Sequence, residues 1–228
     1  MTFKKLKSAL AFTRKLSRDN SAVVTIELAF TAPILLGMGL MGAETSYFAI
    51  SHMQVSQIAM QVADNASRVG EQDVLVARKV YEDDINGTLV GAEKLGERYN
   101  IYENGRIIVS SLQVNADGGQ WIAWQRCRGA KEHPSSYGVE GDGETGTSFP
   151  GMGEPSNRIT APSGEAVIFV EVAYEYEPIT PFEFFGDTEL QYTAAFNVRD
   201  ERDLTQLYQT NPPSPVADCD TYSADRPS

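Results

Sequence analysis

The chain has 228 residues and a formal charge of −12, divided so that residues 1–22 carry +5 and the remainder −17. An acidic body of that size repels nucleic acid and anionic lipid headgroups alike, which argues against DNA binding and against a peripheral membrane-surface role. Residues 45–228 supply enough chain for one ordinary domain and contain no internal repeat.

Lys4, Lys5, Lys7, Arg14, Lys15 and Arg18, opposed only by Asp19, make residues 1–21 a basic leader that the positive-inside rule keeps cytoplasmic. A hydrocarbon layer of ~30 Å needs about 20 apolar helical residues. Residues 22–43, AVVTIELAFTAPILLGMGLMGA, supply them with Glu27 as the one formal charge. The pattern predicts a single-pass transmembrane helix with everything beyond about residue 45 outside the cytoplasm. Gly42-Ala43 imitates a signal-peptidase site, but the apolar run is longer than the h-region of a signal peptide, so a retained anchor is the preferred reading.

An ionisable group in a membrane helix needs a partner or a reason. Glu27 either reaches water or Arg18 at the cytoplasmic interface, which its position favours, or meets a positive group on a neighbouring helix. Pro33 removes one backbone donor and crowds the carbonyl of Ala29, so a local kink or unwinding is expected. Gly37, Gly39 and Gly42 leave thin surface for another helix to approach, although glycine is common in membrane helices anyway.

Beyond the span, Val55, Ile58, Val62, Ala66 and Val69 recur at steps of three and four, predicting that the helix continues to about residue 70 as an amphipathic stripe under a globular head. Such a helix is about 70 Å long, and Gly70 is placed to end it. Residues 73–85, DVLVARKVYEDDI, read as a second helix stopping at Asn86-Gly87, with Glu82, Asp83 and Asp84 on a solvated face. Segments 106–114 and 120–126 read as strands joined by an Asp117-Gly118 turn.

Two further strands, 166–176 and 190–198, alternate so that Ala166, Ile168, Val170, Val172, Tyr174 and Tyr176 form one apolar face. Glu171, Glu175 and Glu177 on the other face are assigned to solvent by default. The expected fold is therefore α+β: an antiparallel sheet of about four strands packed on the helical stripe, filling an extracytoplasmic head over residues 44–210.

Residues 129–164, rich in Gly, Ser, Pro and acidic residues, read as a long mobile loop and the best candidate for partner contact. A calcium site within 138–144 is the weaker reading, because the ligand spacing of an EF-hand is missing. Trp121 and Trp124 are taken as sheet and core residues. Cys127 and Cys219, outside the cytoplasm, suggest one disulfide that pins the Pro/Asp/Ser-rich tail 211–228. His52 and His133 lack companions at ligand spacing, and no nucleophile elbow or phosphate loop is present, so neither a catalytic residue nor a cofactor or metal is nominated.

Glu27-Leu28-Ala29-Phe30, Pro33, the Gly-rich run to Gly42, and Glu44, followed by Gln57, Ala59, Ala63, Ala66 and Arg68-Val69-Gly70, resemble the start of TadE-like proteins. These are minor pilins or pseudopilins of bacterial tight-adherence (Flp) pilus systems. A weaker echo runs from Val170 to Arg199. The resemblance implies a structural or assembly role in an inner-membrane, single-pass protein with a periplasmic domain. Its partners would be the lipid bilayer, other pilin or pilus-assembly subunits and a prepilin peptidase, with no nucleic acid.

The same resemblance makes Glu27 the fifth mature residue, neutralising the N-terminal amine of an adjacent subunit, and places cleavage between Ala22 and Val23. Ala22 stands where the family pattern prefers glycine. It also marks Pro33, Gly37, Gly39, Gly42 and Glu44 as assembly and helix-packing positions. The alternative function is a bitopic binding or sensing module whose acidic head captures a ligand while the helix merely anchors it.

Overall fold

The computed structural model describes residue 15 and residues 21–73, 76–182, 184–186, 188–198 and 202–226. The fold is α+β, with one long apolar N-terminal helix and an open four-stranded antiparallel sheet. Helix α1 (Ser21–Ala66) comprises 46 residues, about 69 Å at 1.5 Å per residue. It ends four residues before Gly70, which then turns the chain with a φ of +127°. A Cβ at that position would lie 2.7 Å from Cγ of Arg78, so glycine answers both backbone conformation and space there.

The chain then makes a two-stranded antiparallel ribbon, β1 (Glu71–Asp73) with β2 (Val76–Lys79), before helix α2 (Glu82–Leu95). This corrects the helix expected over 73–85. Glu82, Asp83 and Asp84 form the first turn of α2, where carboxylates complement the helix dipole, and Asp84 Oδ2 accepts the Tyr81 N–H at 2.9 Å. The Asn86-Gly87 turn signal yields to tertiary packing, because Ile85, Leu89 and Ala92 bury one face of the helix on both sides of it. Nor is Glu82 solvated: it is 4% exposed and takes a bidentate pair from Arg126, with Nη2 at 2.5 Å and Nε at 2.9 Å.

A 3-10 turn (Glu97–Tyr99) leads to β3 (Gly105–Val114), β4 (Gln120–Arg128), β5 (Val167–Glu175) and β6 (Glu189–Asn197), ordered β4-β3-β5-β6. The β3–β4 turn forms as expected. Gly118 takes a φ of +81°, and Asn115 Oδ1 accepts the N–H groups of Asp117 and Gly119. On one face of the sheet, Ile168, Val170, Val172, Tyr174 and Tyr176 of β5 and its extension meet Val55, Ile58, Val62 and Ala66 of α1, with α2 beside them. Trp124 lies in this core, as expected.

The second sheet face is also covered. Met152, Ala161, Tyr137, Phe149 and Ile159 of the 129–164 segment pack on Leu112, Ile122, Val167 and Phe169. That segment is a folded cover, which corrects its reading as a mobile loop, and the cause is the apolar second face of β3, β4 and β5. Glu171 is 4% exposed beneath it, accepting Ser135 Oγ at 2.5 Å and Ser136 N at 2.9 Å, where solvent was expected. Burial pushes the Glu171 pKa up and outweighs those hydrogen bonds.

Cys127 and Cys219 form the expected disulfide, closing 92 residues of sequence separation. Two buried arginines that sequence reasoning passed over reinforce it. Arg106 donates to the carbonyls of Gly129, Thr221 and Cys219 and lies 4.0 Å from the Tyr222 ring centroid. Arg128 donates to the Ala224 carbonyl and pairs with Glu93 at 3.0 Å. Replacing both cysteines by serine is expected to lower stability by about 4 kcal/mol, as the entropy of so long a loop implies. Denaturant titration of the full chain in detergent would measure the loss, and limited proteolysis would find new cleavage between residues 211 and 226.

Candidate membrane and assembly site

α1 is divided at Glu44. From Val23 to Met41, eleven large apolar side chains are exposed, and none belongs to the head core. This is a helix long and apolar enough to cross a membrane, with its most apolar window wholly outside the packed head. Its hydroxyls are satisfied along the helix: Thr31 Oγ1 donates to the Glu27 carbonyl, Thr45 to that of Met41 and Ser46 to that of Gly42. Such back-bonding hides polar groups from an apolar surrounding.

Glu27 is exposed in the second turn. Arg18, its expected intramolecular partner, lies outside the described residues. The Ala22–Val23 bond lies within the helical span that begins at Ser21 among the described residues. The helix runs unbroken through Pro33, so the missing donor does not unwind it.

A Cβ added at Gly37, Gly39 or Gly42 would meet nothing within 4 Å, so the fold of this chain does not require glycine at any of them. The three do not share one face. At 3.6 residues per turn, Gly39 and Gly42 fall opposite the buried Val55 and Val62, in line with the exposed Ser46, Met53 and Met60. Pro33 and Gly37 fall on the side of Glu44.

Glu44, the first residue beyond the apolar run, is fully buried. Its Oε1 accepts Tyr176 Oη at 2.5 Å and its Oε2 accepts Thr180 N at 3.0 Å. Tyr176 ends the apolar face of β5, and Thr180 lies in the β5–β6 connection, so one carboxyl group ties helix, strand and loop together. Aromatic rings close around it. Phe48 stacks on Phe185 at 4.5 Å and meets Tyr176 edge-on at 4.9 Å, while Tyr47 stacks on Tyr99 at 6.1 Å. His52 Nδ1 lies 2.8 Å from Tyr192 Oη.

Sequence reasoning singled out Glu44 but missed the ring around it. The available signal was the run Pro178 to Phe185, four apolar or aromatic side chains in a segment read only as a connection.

The remaining candidates lie apart from this site. Among the described residues, no three His, Cys, Asp or Glu side chains converge as metal ligands. In the 138–144 segment, Glu140 Oε2 accepts Gln125 N and Arg126 Nη1, and Asp142 Oδ2 accepts Val139 N. Compared with protein-family models, curated proteins and solved structures, the chain matches none.

Tyr176→Phe is expected to cost about 2 kcal/mol, because it leaves a buried carboxyl short of one donor. Glu44→Ala is expected to cost more, since it leaves Tyr176 Oη and Thr180 N without acceptors. Denaturation of the full chain in detergent checks both, and an unchanged midpoint for either variant would contradict the junction described.

Proposed function

We propose that the chain is a single-pass membrane subunit that acts in assembling a tight-adherence pilus or a related secretion filament, in the manner of a TadE-like pseudopilin. The observation that carries the reading is the division of α1 at Glu44. One half packs into the head along a single face, and the other presents some twenty residues of exposed apolar helix with a carboxyl group, Glu27, near its start. A helix that only anchored a head would need no ionisable group at that depth.

In this reading the leader 1–21 is cytoplasmic and residues 22–43 cross the bacterial inner membrane. The head lies outside the cytoplasm, where the Cys127–Cys219 bridge is chemically at home. Cleavage after Ala22 by a prepilin peptidase frees the Val23 amine. Glu27 then neutralises that amine on a neighbouring subunit, so that two charges enter the apolar layer as a pair. The protein contributes helix packing rather than catalysis, and works without cofactor or nucleic acid.

Intact-mass and N-terminal analysis of the protein from its native membrane, beside a Glu27→Ala form, tests the reading. The expected result is a mature chain beginning at Val23, with filament assembly lost in the variant. An uncut chain whose function survives exchange of residues 22–43 for an unrelated anchor would instead support the bitopic binding module.

A further inference from the structure

Among the described residues, the apolar side chains that the head leaves exposed are scattered, with one exception. Ile179, Phe182 and Phe184 are 54%, 53% and 41% exposed within six residues of the β5–β6 connection. Their place in the fold is specific. Thr180, between Ile179 and Phe182, is held by Glu44, and Phe185 stacks on Phe48 one turn above it.

The 22 residues of the apolar run rise about 33 Å, against a hydrocarbon layer of about 30 Å, so Glu44 is the first residue at the headgroup boundary. A helical side chain leans toward the N-terminus, which puts the carboxyl group of Glu44, and the loop backbone it grips, at or below the level of its own Cα.

We propose that the 178–186 loop is a second membrane contact, in which Ile179, Phe182 and Phe184 enter the interfacial layer beside the emerging helix. The inference rests on the reading of α1 as a membrane span. Several polar groups of the described residues in and beside the loop are used internally. Thr180 Oγ1 donates to the Phe182 carbonyl, Phe184 N donates to the same carbonyl at 2.8 Å, and Thr188 Oγ1 donates to that of Phe185.

Phenylalanine and aliphatic side chains of interfacial segments bury at the boundary of headgroups and acyl chains, the depth at which the loop is held. The attraction is apolar rather than electrostatic, since Glu175, Glu177 and Asp187 flank the loop, Glu183 interrupts it in sequence, and the chain beyond residue 22 is strongly acidic. The occupant is therefore the acyl and glycerol region of the bilayer rather than a phosphate headgroup. The consequence is mechanical: with two points of contact, the head cannot swivel freely about α1.

The test uses nitroxide labels on the full chain in phosphatidylcholine nanodiscs, at Phe182→Cys, at Ile34→Cys in the middle of the apolar run, and at the exposed Val139→Cys as an aqueous reference. Oxygen accessibility well above nickel-chelate accessibility at both 182 and 34, with 182 the shallower, is the expected result. A lipid signature at 34 with an aqueous one at 182 overturns this inference and leaves the membrane span standing. Aqueous signatures at both overturn the span itself. A label at 182 shielded from both reagents identifies a protein partner and overturns the lipid assignment.

Discussion

The architecture depends on one carboxyl group at a boundary. Glu44 is the residue at which α1 stops being bare and becomes part of a core, and it is buried there with donors from a strand end and from a loop. A buried carboxyl group is costly unless its lone pairs are met. The geometry that meets them also fixes the angle and height at which the sheet sits on the helix. The aromatic rings of Tyr47, Phe48, Tyr176 and Phe185 then exclude water from the joint.

Above that joint, the sheet needs a cover on each face, and two different parts of the chain supply them. α1 and α2 take the face that ends at Tyr176, and the 129–164 segment takes the face bearing Val167 and Phe169. The C-terminal tail is held against β3 and β4 by the disulfide and by the guanidinium groups of Arg106 and Arg128, which donate to backbone carbonyls. On the proposed reading, this makes the head a rigid body that transmits force between a neighbour and the membrane helix.

Much of this is legible in the sequence, for reasons that differ by element. β5 and β6 announce themselves by alternation with period two, while β3 and β4 are marked by the Asp117-Gly118 turn that joins them and sets their register. The long helix is readable because its lower half is uniformly apolar and its upper half keeps an unbroken stripe. α2 is misread because its acidic first turn looks like a solvated face and Asn86-Gly87 looks like a stop. Only the burial of Ile85, Leu89 and Ala92 overrides both.

Glu171 and the 129–164 cover are missed for a related reason. Composition marks a Gly-, Ser- and Pro-rich stretch as loose, while the few residues that dock it, Met152 and Phe149 among them, are spaced without period. At the candidate site, Glu44 is marked in the sequence only by the family resemblance, and its partners lie more than a hundred residues away and leave no local pattern.

The central claim is that α1 is covered on one face by its own head from Glu44 onward; on the proposed assembly reading, another copy approaches along the opposite face. The most direct measurement is oxidative cross-linking in native membranes of single substitutions along α1: Gly42→Cys and Met53→Cys on the outward face, and Gly37→Cys on the side of Glu44. Cross-linked dimers at 42 and 53 with little at 37 are what this account predicts. Dimers strongest at 37, or absent at all three positions, would contradict it.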